Sequence, residues 1–130
     1  MDKFLKTIHE LTEIVGPSGR ESKVANYLKK NWNEYGEVKE DRLGNLSITI
    51  GSKGPHIAFS AHMDEVGFVI KYIDEKGFIS LNKLGGIPER VLSGQKILIL
   101  GNKGLIQGVF TTWPHHLTPD SEKYKVKPIG

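Results

Sequence analysis

A chain of 130 residues is long enough for one domain of ordinary size or for two small ones. Its 38% hydrophobic and 25% charged residues are typical of a soluble globular protein, and no apolar run is long enough to predict a transmembrane span. The sequence contains no cysteine, which excludes disulfides and thiolate metal sites, and its first residues lack the apolar core of a signal peptide, so we expect a cytoplasmic protein without membrane contact. The net charge of +3 is spread over mixed acidic and basic residues without a basic stripe, which argues against nucleic-acid binding.

The first two segments are predicted to be amphipathic helices. Apolar residues recur at helical spacing over 3–15 and again over 20–35. Between them, Ser18 and Glu21 have the spacing of a capping box, in which Ser18 would cap the second helix. The glycine-rich stretch 16–19 lacks the lysine and the glycine spacing of a phosphate-binding loop, so we interpret it as a plain interhelical loop.

From Glu37 the apolar pattern changes to the alternation that is typical of strands. Residues 37–51 are predicted to form a hairpin with its turn at 41–45. The residues over 57–63 are mostly apolar or small, which predicts a strand that is buried on both faces and ends near His62. Two helices on a mostly β layer put this first part in the α/β fold class.

The remainder of the chain, residues 66–130, is predicted to be β-rich with little helix. Glycine-rich turns separate four short apolar runs, a pattern that indicates a small, incomplete barrel or sandwich. The predicted strands cover residues 68–73, 78–84, 96–100 and 105–111. We therefore divide the chain into residues 1–65 and residues 66–130.

His62 and Asp64 are the candidate site residues. They stand two positions apart at the end of the predicted strand, so both side chains would point to the same side. The imidazole could then bind a cation through one ring nitrogen while the carboxylate holds the other N–H. A hydrogen-bonded core histidine followed by a turn explains the same spacing, and the pattern alone does not separate the two. The adjacent His115 and His116 would face opposite ways on an extended chain, which favours a structural or surface role.

Six short motifs, in this order, resemble the N-terminal part of one peptidase family. They are Gly-Pro-Ser-Gly-Arg-Glu at 16–21, Asp-Arg-Leu-Gly-Asn at 41–45, Ala-His-Met-Asp-Glu-Val-Gly-Phe at 61–68, Leu-Gly-Gly at 84–86, Arg-Val-Leu-Ser-Gly-Gln at 90–95 and Pro-His-His-Leu at 114–117. Together they resemble the glutamyl and tetrahedral aminopeptidases, a family of dinuclear metallo-aminopeptidases often misassigned as cellulases or endoglucanases.

The resemblance implies a function for both candidate residues. His62 would be a terminal ligand to one of two divalent metal ions, zinc or cobalt, and Asp64 would belong to the catalytic machinery by orienting it. The ions would activate a bridging water for removal of N-terminal residues from peptides, with a glutamate as general base. The part after residue 65 would be the start of a PDZ-like dimerisation insert, and the dimers would build a dodecamer.

The sequence also departs from the family pattern. The other metal ligands of the family, among them a Glu-Glu pair, have no counterpart in these 130 residues. We therefore expect a fragment that is inactive alone and binds no metal tightly. The alternative is a stand-alone, non-catalytic module for oligomerisation or peptide binding.

Overall fold

The computed structural model describes residues 2–111, 115–123 and 125. It divides into two compact units, Met1–Gly67 and Phe68–Gly130. The assignment of the two parts to a catalytic domain and a dimerisation insert stays a prediction. Among the described residues, no helix is long and apolar enough to cross a membrane.

Both predicted helices are confirmed, and each is shorter than its apolar pattern. Helix α1 covers Lys3–Thr12 and helix α2 covers Ser22–Trp32. The N–H of Ile14 donates to the carbonyl of Leu11 at 3.3 Å, a bond to the third residue back that tightens the last turn of α1 and ends it before Gly16. Helix α2 buries Val24 and Ala25, which form the small core of the first unit.

The predicted capping box is wrong. Glu21 occupies the N-cap position of α2 and makes no side-chain cap bond. A turn precedes it, in which the N–H of Arg20 donates to the carbonyl of Pro17 at 2.8 Å and Gly19 has a φ of +82°. This left-handed residue at the third position is typical of a type II turn. The Ser18 hydroxyl donates to Asp64 and not to the helix, so the loop over 16–19 is more than an interhelical connection.

The predicted hairpin is confirmed. Strand β1, Val38–Glu40, pairs antiparallel with strand β2, Leu46–Ile48. The turn between them is built on Asp41, whose side chain accepts from the N–H groups of Leu43 and Asn45 and from the Asn45 side-chain amide. The hydrogen bonds from Asn45 hold the pKa of the Asp41 carboxyl below its usual value.

The predicted buried strand over 57–63 is wrong. This segment forms neither strand nor helix, and it is exposed, with Ile57 and Phe59 at 78% and 96% of full exposure. A strand buried on both faces needs a hydrogen-bonded neighbour and a packed layer on each side. None of the sheets in the described part of the chain includes this segment. An isolated parallel bridge between Pro17 and Glu65 follows it.

The second unit contains the four predicted strands. Strand β3, Gly67–Ile73, pairs with strand β4, Ile79–Leu84, and strand β5, Lys96–Gly101, pairs antiparallel with strand β6, Gly104–Val109. The only helical pieces in the described residues of this unit are three short 3₁₀ turns, Glu89–Val91, His115–Leu117 and Asp120–Glu122. The fold class is therefore confirmed at the level of two helices with small antiparallel sheets.

A few apolar contacts hold the second unit together. Leu92 is buried, and the rings of Phe68 and Phe110 lie 5.0 Å apart at a tilt of 58°, a spacing that is typical of favourable aromatic pairs. The backbone of Phe110 exchanges hydrogen bonds with Gly94 and Gln95. His116 is exposed on one of the short 3₁₀ turns.

Candidate active site

The structure brings His62 and Asp64 into contact. The Nδ1 atom of the His62 ring lies 2.8 Å from the backbone carbonyl oxygen of Asp64 and 3.1 Å from its Oδ1 atom. Both atoms are acceptors, so Nδ1 carries the proton and donates. The alternation of a strand does not produce this contact, because the segment is not a strand. A local hydrogen bond across two residues produces it.

The other ring nitrogen of His62, Nε2, makes no hydrogen bond to the part of the chain that the structure describes. The His62 side chain is 85% exposed, which is the opposite of a packed core histidine. With the proton fixed on Nδ1, the lone pair resides on Nε2, and neutral imidazole of this kind is a good ligand for a divalent cation. The geometry therefore favours a ligand role over a structural one.

Ser18 is a member of the site that the sequence did not predict. Its hydroxyl donates to Oδ2 of Asp64 at 2.5 Å, while Oδ1 faces His62. The hydrogen bond from Ser18 is the main cause that holds the pKa of the Asp64 carboxyl below its usual value, and the nearby His62 adds to it. Asp64 is thus kept ionised at neutral pH. The Ser-Gly dipeptide in a turn was the available signal, but it fitted a helix cap equally well.

Glu65 joins the loop that carries Ser18 to the segment that carries His62. Its side-chain Oε1 accepts from the N–H of Gly16 at 2.8 Å, and its own N–H donates to the carbonyl of Gly16 at 3.0 Å. Two bonds to one residue fix both the distance and the orientation of the two segments. The pairing places Ser18, two residues after Gly16, beside Asp64.

Two glycines permit this close approach. A Cβ atom on Gly67 would lie 2.9 Å from the Cβ atom of Pro17, and one on Gly16 would lie 2.7 Å from Cγ2 of Val24. Carbon atoms in favourable contact are about 3.5–4.0 Å apart, so neither position has room for a side chain as the backbone stands. The loop can lie against both α2 and residues 64–67 only because these side chains are absent.

The side-chain atoms of Ser18, His62 and Asp64 offer one candidate donor to a metal ion. Of the site residues, His62 offers a free nitrogen, whereas the two oxygens of Asp64 face Ser18 and His62. No group of three or more His, Asp or Glu side chains that could hold an ion occurs among residues 2–111 and the described residues after them. A catalytic zinc site takes three protein ligands. Among the described residues of the site, the side chain of His62 is therefore the one candidate ligand.

Histidines that bind a metal ion usually donate their other ring N–H to a carboxylate or a backbone carbonyl, as His62 does here. The chain belongs to the M42 glutamyl aminopeptidase family, whose model matches residues 44–129. The glutamyl aminopeptidase of Lactococcus lactis is 40% identical over 108 residues, which cover 80% of this chain and 30% of that protein.

Solved structures agree with this assignment. This chain superimposes on the TET aminopeptidase of Thaumarchaeota archaeon SCGC AB-539-E09 with a TM-score of 0.90 at 35% identity. The aligned residues make up 98% of this chain and 37% of the aminopeptidase chain. The Pyrococcus horikoshii TET1 peptidase, described as able to assemble into a tetrahedron or a large octahedral shell, gives a TM-score of 0.83 at 31% identity over 95% of this chain and 37% of that one. The chain spans about a third of the length of the curated relatives that it matches. The aligned residues make up 35% of one such relative from Escherichia coli K12.

Proposed function

We propose that this chain supplies part of a metallo-aminopeptidase that removes N-terminal residues from peptides. The observation that carries the proposal is the contact of His62 with Asp64 in a chain of the M42 family. In that role His62 would hold one divalent ion, zinc or cobalt, through Nε2. A pair of such ions would lower the pKa of a bound water molecule and polarise the scissile carbonyl group of the peptide.

Asp64 acts on the ligand and not on the substrate. It accepts the Nδ1–H of His62 through both its carbonyl and its carboxylate, which fixes the tautomer and directs the Nε2 lone pair outward. Further ligands and the general base would come from outside the described residues, as the family pattern implies.

The second unit is proposed to be the start of a PDZ-like insert through which the enzyme forms dimers, and the dimers a dodecamer. Its strand β3 exposes Val69, Tyr72 and Ile73 at 48%, 55% and 58%. Apolar side chains in one exposed stretch are typical of surfaces that another chain covers. The assembly described for the Pyrococcus horikoshii relative supports a homo-oligomer. The cytoplasmic location expected from the sequence stays a prediction.

Substitution at the site in an active aminopeptidase that contains this chain tests the catalytic proposal. We expect His62→Ala to abolish hydrolysis of an aminoacyl anilide, because it removes a metal ligand. Asp64→Asn should lower activity about 10–100-fold, because the amide still accepts the imidazole N–H but carries no charge. His56→Ala, which removes an exposed histidine from the same segment, serves as the matched control. Unchanged activity in His62→Ala would show that this histidine is not a ligand.

The chain by itself gives a second test. Because the described residues supply one ligand of the required set, we expect the chain to bind zinc weakly and to show no turnover. Calorimetric titration with zinc and the same anilide assay measure both. Tight stoichiometric binding that His62→Ala removes, or turnover by the pure chain, would contradict the proposal. The alternative, a non-catalytic oligomerisation or peptide-binding module, predicts peptide binding by the chain that His62→Ala leaves unchanged. Self-association of the chain is expected under both interpretations.

A further inference from the structure

We infer that Ser18 is a positioning residue for the metal-binding histidine. Its hydroxyl holds the Asp64 carboxylate, and that carboxylate holds the His62 ring with Nε2 directed outward. This inference rests on the proposed function for the role of His62 as a ligand. It adds a third member, from a distant part of the sequence, to the histidine–aspartate pair.

The geometry gives the hydroxyl a specific task. An aspartate carboxylate rotates easily about its last bond, because that torsion has a broad, roughly two-fold preference. Here Oδ2 accepts from Ser18 at 2.5 Å while Oδ1 lies 3.1 Å from Nδ1 of His62. Each oxygen has its own partner, so the carboxylate cannot turn without losing one of them. Ser18 thereby keeps Oδ1 aimed at the ring.

The loop around Ser18 is itself fixed on both sides. The turn that starts at Pro17 closes through the N–H of Arg20, and Glu65 bonds twice to Gly16. Ser18 and Asp64 are 46 residues apart in sequence, so this contact exists only because the pairing with Glu65 holds the segments together. A role as helix cap does not account for the hydroxyl, since Glu21 is the N-cap residue of α2.

A competing explanation also has a basis in the structure. The carbonyl oxygen of Asp64 lies 2.8 Å from Nδ1, closer than the carboxylate, and it could hold the ring without help from Ser18. In that case Ser18 would only stabilise the loop. The two explanations differ in what happens to the His62 tautomer when the hydroxyl is removed.

The His62 tautomer is measured on this chain from long-range proton–nitrogen correlation spectra, without any metal. All variants are compared at the same alkaline pH. In the wild-type chain we expect the Nδ1–H form. Ser18→Ala should raise the population of the Nε2–H form relative to the Nδ1–H form by about tenfold, the lower end of what the loss of one hydrogen bond to a charged group produces. Ser18→Thr, which keeps the hydroxyl, should restore the wild-type ratio.

Further variants separate positioning from folding. Ser22→Ala removes an exposed serine at the start of α2 and should leave the tautomer unchanged. Ser18→Cys keeps the size of the side chain but donates weakly, so it should give an intermediate ratio even if Ser18→Ala does not fold. The amide signals of Leu43 and Asn45, which report the hairpin turn, show whether each variant is folded.

The opposite results would overturn the inference. A wild-type ratio in folded Ser18→Ala or Ser18→Cys would show that the His62 ring is held without help from Ser18. Asp64→Ala, which removes the carboxylate and keeps the backbone carbonyl, then identifies what holds it: an unchanged ratio would point to the carbonyl and a changed ratio to the carboxylate, and either result overturns the role of Ser18. Because no metal is present, these outcomes do not depend on catalysis. Failure of the proposed function would appear separately, as an active His62→Ala enzyme.

Discussion

Substitution of Gly16 by alanine tests the packing that places the Ser18 loop. The new Cβ atom would lie 2.7 Å from Cγ2 of Val24, about 1 Å inside the favourable carbon–carbon distance. Val24 is 7% exposed and lies in α2, where a β-branched side chain has one strongly preferred rotamer, so the valine cannot turn away cheaply. Overpacking of this kind costs about 1–3 kcal/mol. We expect the free energy of unfolding of the first unit to fall by that amount.

The assay is urea unfolding followed by the fluorescence of Trp32, the last residue of α2. Since the sequence has two tryptophans, the measurement uses a Trp113→Phe background. The control is a double-mutant cycle with Val24→Ala, which removes the Cγ2 atom that the new Cβ atom would meet. The double variant should be more stable than the sum of the single effects predicts, by about 0.5–3 kcal/mol. Strict additivity would refute the clash with Val24.

Three other outcomes are expected. Because the pKa of Asp41 is lowered in the folded hairpin, the contribution of this carboxylate to stability is complete above its ordinary pKa and is lost as the pH falls through the folded value. Acid titration should show this loss, and Asp41→Ala should reduce the slope of the free energy of unfolding against pH. With Phe59 at 96% exposure, the isolated chain should sediment as a dimer or larger, and Phe59→Ser should lower the average mass; a monodisperse monomer in the wild type would contradict this. Gly67→Ala should weaken the pairing of Pro17 with Glu65, and hydrogen exchange of the Glu65 amide should become faster. The control is Gly86→Ala, which has nothing near its Cβ position and should leave this exchange rate unchanged.

The local elements were predictable because their causes are local. Helical periodicity located α1 and α2, and alternation with glycine-rich turns located the strands on both sides of residues 52–64. The prediction for the segment 57–63 was wrong because a run of apolar residues indicates a tendency to be buried and does not by itself specify a strand. Whether it becomes a strand depends on neighbours, and the described residues provide none.

The site was predictable in part for the same reason. The spacing of His62 and Asp64 is a local signal, and the structure places the two in contact. Ser18 was assigned to the helix because its spacing from Glu21 matches a cap, but the Asp64 carboxylate provides a charged acceptor at 2.5 Å that the sequence could not reveal. Because Asp64 lies 46 residues from Ser18 in the sequence, no periodic pattern around Ser18 indicates this contact.

The separation between Gly16 and Glu65 also sets the order of folding. Their contact spans 49 residues, whereas the bond from Asn45 to Asp41 spans four. Loop-closure entropy grows with the logarithm of loop length, so the longer contact costs about 2 kcal/mol more to form. The hairpin can therefore form early and locally, while the joining of Ser18 to Asp64 waits for the chain to close. The surface that would bind the metal is then among the last parts of this unit to form.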